Sequence, residues 1–297
     1  MPCYNETMTT IRAIEGHALR MRRNIIRMLA AAGSGHPGGS LGLADVYAAL
    51  FFGDDEMIKQ GKSGGILHYD FNNPGDPNRD LLVISNGHTV PVYYAVLREA
   101  DIISDEEMLS LRKFGSRLQG HPEREMLPWL ETTSGPLGEG LSQAAGMAYS
   151  LKYWSSTTNP ADSHVFVITG DGELNEGQNW EAIMFAAKYN LGNMTAIVDR
   201  NFIQIDGYTE DVMPLEDLRA KWELFNWHVI VIDGNNVQEI IDAVAAARAE
   251  TEKPSVIIAN IVPGKGVSYM EHDHNWHGQA PNAVQTEQAL RELEATK

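Results

Sequence analysis

Cysteine is almost missing from this chain: its 297 residues include one, Cys3. No intrachain disulfide can form, which fits a reducing, cytoplasmic setting. No run of about 18 apolar residues occurs, so no membrane-spanning helix is expected. The first ten residues lack the charged-then-apolar order of a secretory signal. Positive charge is scarce as well. Lysine and arginine number 23 against 40 aspartates and glutamates, a formal net charge of −17. Nucleic acid and anionic membranes reward positive charge, so neither is expected as a partner. A small phosphorylated ligand stays open, because a few local donors can bind a phosphate on an acidic protein. No internal repeat or low-complexity linker divides the chain, and one domain over residues 1–297 is expected.

The rest is globular material, 43% hydrophobic and 21% charged. Ile11, Ile14, Leu19, Ile25, Met28 and Leu29 recur at helical spacing and predict a helix over about 7–32. A glycine-rich break, Gly33 to Ser40, precedes a second helix from Leu43 to Phe52. Residues 53–79, rich in Gly, Pro, Asn and Asp, read as an ordered excursion. Leu81 to Ser85 reads as a short buried strand. Helices are expected over Thr89–Glu99 and Asp105–Phe114, then a loop from Gly115 to Leu137. A strict alternation follows: helix Gly140–Trp154, strand Val165–Thr169, helix Asn179–Asn190 and strand Met194–Val198. A short helix near Leu215–Trp222, strand Val229–Ile232, helix Val237–Glu250 and strand Val256–Ile261 complete it. Buried β-branched strands alternating with helices predict an α/β fold with a mostly parallel sheet flanked by helices. Ligands of such sheets sit off the carboxyl ends of the strands, where the glycine-rich segments fall.

One of those segments is Gly170-Asp171-Gly172, at the end of the strand Val165–Thr169. Thirty residues after Asp171, just past another strand, stands Asn201. A carboxylate and an amide oxygen from adjacent strand ends can share a hard cation such as Mg²⁺. Gly172 allows backbone to approach a phosphate closely. A lone Gly-Asp-Gly is usually a turn. Here it is accompanied by Ser34-Gly35-His36-Pro37-Gly38-Gly39, Ser85-Asn86-Gly87-His88, Gly120-His121-Pro122-Glu123, Gly135-Pro136-Leu137-Gly138-Glu139-Gly140 and Trp276-His277-Gly278. Each alone reads as a loop histidine or a helix entry. Together, in this order, they resemble the N-terminal, thiamine-diphosphate-binding part of transketolase, from about Ile11 to Ala280.

The resemblance implies the thiamine-diphosphate-binding fold and the following roles. Asp171, Asn201 and the carbonyl of Ile203 would hold Mg²⁺ or Ca²⁺. His88 and His277 would donate to the diphosphate, with a backbone contact from Gly172. Gly135 and Leu137 would line the aminopyrimidine side. His36 and His277 would sit over the reacting carbonyl, and His121 would bond the donor ketose. Imidazole suits proton handling near neutral pH. Glu176, counted with the cofactor site, resembles a buried glutamate that couples subunits. The family's usual pair of asparagines stands here as Arg200-Asn201, Glu139 replaces a usual Gln, and the segment Thr132-Thr133-Ser134-Gly135 carries one extra residue. His272-Asp273-His274 has the look of a metal clip and reads instead as a loop leading to His277.

A transketolase chain is about twice this length and carries a pyrimidine-binding domain whose Glu activates the cofactor, together with a C-terminal domain. This chain stops at Lys297. A natural split subunit is therefore expected, working in an α₂β₂ assembly with a partner that carries those domains; an excised fragment is the alternative. The expected activity is transfer of a two-carbon ketol unit from a ketose, phosphorylated or sulfonated, to an aldose. Rival readings are a subunit of another thiamine diphosphate enzyme, of deoxyxylulose phosphate synthase or ketoacid dehydrogenase type, and a non-catalytic regulatory subunit.

Overall fold

The computed structural model describes residues 4–154 and 163–296; Cys3 and Lys297 lie outside them. The chain opens with the long helix α1, Tyr4–Ala32, whose apolar face is buried at Ile14, Met21, Ile25 and Leu29. The glycine-rich break is partly helical: α2 spans Pro37–Gly42, with proline at its first turn, and runs on into α3, Ala44–Phe51. The excursion after it is ordered, as expected. It includes α4, Asp55–Lys59, capped by Asp54, and a buried ion pair between Arg79 and Glu131. Strand β1, Leu81–Ile84, leads through a tight turn, Gly87–Thr89, into α5, Val90–Glu99.

The helix expected over Asp105–Phe114 is a single turn, α6, Asp105–Met108. Arg112 takes a left-handed backbone (φ 61°), and its N–H bonds the Leu118 carbonyl. The segment folds back on itself, which carries Arg112 to the loop of His121. The alternation then follows as expected: α7 Glu139–Trp154, β2 Val165–Gly170, α8 Gly177–Lys188 and β3 Met194–Arg200. A small hairpin, β4 Ile203–Gln204 with β5 Gly207–Tyr208, continues into α9, Thr209–Val212. After it come α10 Leu218–Leu224, β6 His228–Asp233, α11 Val237–Ala249 and β7 Ser255–Asn260. The last helix, α12, Ala283–Ala295, starts from a reciprocal capping box of Asn282 and Gln285.

The main sheet has the order β1-β2-β3-β7-β6, and every pair is parallel. Strands β2 and β3 are buried along their whole length, which explains their unbroken apolar, β-branched runs. Helices α1, α3, α5 and α11 pack on one face and α7, α8 and α10 on the other, giving two apolar cores. Loops at the carboxyl ends of β1, β2 and β3 thus converge at one edge of the molecule. No helix among the described residues is long and apolar enough to cross a membrane.

Candidate active site

Three imidazoles meet above these strand ends. His88 sits in the turn after β1, where Thr89 Oγ1 donates to the Asn86 carbonyl at 2.9 Å. His36 caps α2, and its carbonyl accepts from Ser40 Oγ at 2.7 Å. His277 ends a turn, His274–Trp276, capped by Asp273 through the Asn275 N–H at 3.0 Å. Asp273 therefore serves as a cap within a loop leading to His277. The ring centroids lie 5.0 Å (His36–His88), 5.1 Å (His88–His277) and 5.7 Å (His36–His277) apart.

Burial keeps these rings neutral. His277 is lowered to about 4 by burial alone. His36 is also lowered to about 4, by burial first and then by His277, Arg112 and His121. His88 lies well below the ordinary value, and His121 is lowered by burial and by Arg112. A ring whose pKa is depressed on folding binds fewer protons than in the unfolded chain between the two values. Stability present above pH 6.5 is therefore lost as pH falls towards 4 and levels off below it. For His277 the loss is ~3 kcal/mol. Unfolding of the ligand-free chain, followed from pH 7 to pH 4, should show this slope, and His277→Gln should flatten it. Equal slopes for the two proteins would refute the assignment.

Below the imidazoles lies an acidic and amide floor. Asp171, at the end of β2, is buried. Its Oδ2 accepts from Arg200 Nη1 (3.1 Å) and the Phe202 N–H (2.8 Å), and its Oδ1 accepts from the Gly172 N–H (2.7 Å). Burial raises its carboxyl, opposed by Arg200 and by these N–H groups. Arg200 also pairs with Glu210 at 2.6 Å and stacks on the Phe202 ring at 4.1 Å. The residue that departs from the family pattern thus supplies a positive charge to Asp171. Asn201 donates Nδ2 to Asp199 Oδ2 at 2.9 Å, while its Oδ1 accepts from the Ile203 N–H at 3.0 Å. These two bonds fix which way the amide faces, with one lone pair of its oxygen still free. A side chain at Gly172 would meet the Gln204 side chain, with Oε1 at 3.0 Å, so a larger residue there would displace Gln204 from the cavity wall.

The cavity between floor and imidazoles has a volume of about 330 Å³. It brings together His36, His88, His121, Gly135, Leu137, Asp171, Gly172, Asn201, Ile203 and His277. Glu176 is not among its lining residues. In the single chain Glu176 is exposed at the start of α8, and the buried acid of that turn is Glu173. Glu139 is exposed in the first turn of α7, where negative charge is favourable.

Several lining residues carried no sequence signal. Glu173, Asp199, Gln204 and Ile205 belong to no histidine or glycine motif, yet all face the cavity. Arg112, placed in a helix by its spacing, reaches the Gly120 carbonyl at 3.3 Å beside His121.

The donor set fits a diphosphate with a hard cation. Asp171 and Asn201, a carboxylate and an amide of the oxygen type such cations take, both line the cavity together with Ile203. Nδ1 of both His36 and His277 is enclosed without a hydrogen-bond partner among the described residues.

The profile described as transketolase, thiamine diphosphate binding domain, matches residues 17–295. The chain is 37% identical over 283 residues to one of the subunits of apulose-4-phosphate transketolase from Phocaeicola vulgatus, covering 95% of this chain and 94% of that one. It is 38% identical over 281 residues to a 6-deoxy-6-sulfo-D-fructose transketolase subunit of a Clostridium species, covering 93% and 96%. Among solved structures, a transketolase variant from Pichia stipitis superposes with a TM-score of 0.83 at 30% identity. That superposition covers 94% of this chain and 40% of the other, so this chain spans about two-fifths of the solved enzyme.

Proposed function

Because the chain belongs to the transketolase thiamine-diphosphate-binding family, we propose that it is the cofactor-binding subunit of a two-polypeptide transketolase. The complex moves a two-carbon ketol unit from a phosphorylated or sulfonated ketose to an aldose, in the cytoplasm. The observation that carries this reading is the ring of neutral imidazoles facing the Asp171–Asn201–Ile203 floor across one cavity.

When bound, thiamine diphosphate supplies the electron sink for breaking and making the carbon–carbon bond next to a ketose carbonyl. The chain's own residues do the rest. Asp171, Asn201 and the Ile203 carbonyl hold Mg²⁺ or Ca²⁺. His88 and His277 donate to the diphosphate, with Gly172 against it, and Gly135 and Leu137 form the aminopyrimidine wall. His36 and His277, neutral at physiological pH, give or take a proton at the substrate's carbonyl oxygen. His121 holds the donor's terminal hydroxyl.

The partner is a C-terminal subunit carrying the pyrimidine-binding domain and its activating glutamate. Among the described residues no lysine or arginine lines the cavity, so cations for the sugar's phosphate or sulfonate come from that partner. Leu137 and Ile205 at the cavity, with Phe202, Tyr208, Val212 and Met213 on the adjoining hairpin and helix, expose apolar surface suited to docking it. An α₂β₂ complex is expected by light scattering; a particle of one α and one β would contradict it.

The deciding experiment is co-purification of the chain from its native cells and assay of the complex with thiamine diphosphate and Mg²⁺. Ketol transfer supports the proposal. Carbon dioxide release from pyruvate would favour the synthase or dehydrogenase reading instead, and an inactive complex would favour a regulatory subunit.

A further inference from the structure

We infer that Glu173 is a positioning residue that fixes the Gly135–Gly140 loop, the aminopyrimidine wall of the cavity, against the ends of β1 and β2. The inference rests on the reading of this cavity as a thiamine diphosphate site. Glu173 is 2% exposed, and its carboxylate takes four hydrogen bonds. Oε1 accepts from the Ser85 hydroxyl and, at 2.8 Å, from the Gly138 N–H. Oε2 accepts from Thr169 Oγ1 and the Gly170 N–H, both at 2.9 Å. Four donors fill the capacity of a carboxylate's two oxygens. One oxygen therefore grips the loop and the other grips the end of β2.

The grip extends one step further. Ser85 Oγ, while donating to Glu173, accepts from the Gly140 N–H at 3.1 Å. Both glycines on the α7 side of Leu137 are thus tied to one carboxylate, directly or through a single hydroxyl. Gly138 has a left-handed backbone (φ 88°), and a Cβ there would come within 2.8 Å of Glu176 Cβ. That conformation, next to Leu137, sets how the wall meets the cavity. Burial of an acid among donors alone also explains why a charged residue follows Gly-Asp-Gly at the floor of a ligand site.

Two hydroxyls provide a matched pair of probes. Ser85→Ala and Thr169→Val each remove one donor from Glu173, the first on the loop side and the second on the strand side. In the complex with its partner, Ser85→Ala should speed amide exchange at Gly138 and Gly140 about tenfold or more. It should weaken thiamine diphosphate binding by about tenfold, with Mg²⁺-methylenediphosphonate bound to within about twofold of wild type. Thr169→Val should leave all three readings near wild type. Glu173→Gln, which turns one acceptor oxygen into a donor, should move them as Ser85→Ala does, with thermal unfolding showing a folded protein. Equal effects from the two hydroxyl variants, parallel loss of both ligands, or no change in loop exchange would overturn the inference. A wild-type complex that binds the diphosphonate and not thiamine diphosphate would overturn the cofactor reading itself.

Discussion

Assayed without its partner, the chain should show no ketol transfer above background, even with saturating thiamine diphosphate and Mg²⁺. Adding the partner should raise the rate by on the order of a thousandfold or more. The reason lies in what the cavity holds. The family's chemistry needs a carboxyl group free to act on the aminopyrimidine. The cavity's acidic lining residues are Asp171, Glu173 and Asp199. Glu173 is fully occupied by Ser85, Gly138, Thr169 and Gly170. Asp171 is bonded by Arg200 and the Gly172 and Phe202 N–H groups, and Asp199 accepts from Asn201. None can take the missing role. The lip is also open, with Leu137 38% and Ile205 63% exposed, so water is not excluded until a second chain covers it. Steady turnover by the isolated chain at rates like those of the complex would defeat the split-enzyme proposal.

Asp171→Ala should be the most damaging single substitution in the site. Removing a second-sphere group commonly costs 10–100-fold in metal affinity, and a direct ligand should cost at least on the order of 100-fold. Cofactor binding that depends on Mg²⁺ should fall with it, as read by calorimetric titration of thiamine diphosphate into the complex. A separate effect on stability is expected, because Arg200 loses its buried partner and keeps Glu210 alone. That loss should be about 1–3 kcal/mol, seen in unfolding of the ligand-free chain. Unchanged cofactor affinity in the variant would remove Asp171 from the cation site and reopen the regulatory reading.

The architecture was legible wherever burial is symmetric. Val165 to Thr169 and Met194 to Val198 are apolar on both faces because helices cover both sides of the sheet, and such runs are hard to mistake. That His36, His88, His121 and His277 share one cavity was legible because each stands beside glycine or proline in a segment where a sharp turn can aim a ring. Glu173 was not, because an acid three residues after a strand reads as a helix-start charge until its four donors are seen in space. Arg112 was hidden by helical spacing; the contact with the Gly120 carbonyl outweighs local propensity over residues 109–114. Glu176 was expected to be buried by analogy with assembled enzymes, and burial that a partner provides is not visible in one chain.

The imidazole ring joins residue 36 to residue 277, and the floor joins strand ends near 170 and 200. Contacts this far apart in sequence form late and slowly. During synthesis, α1 and α2 leave the ribosome long before His277 can reach His36, so the cavity assembles only once residues up to His277 are out. Capture of thiamine diphosphate would then report that the chain has been made and folded as far as His277. A nascent chain arrested before His277 should carry most of its helices and no cofactor site.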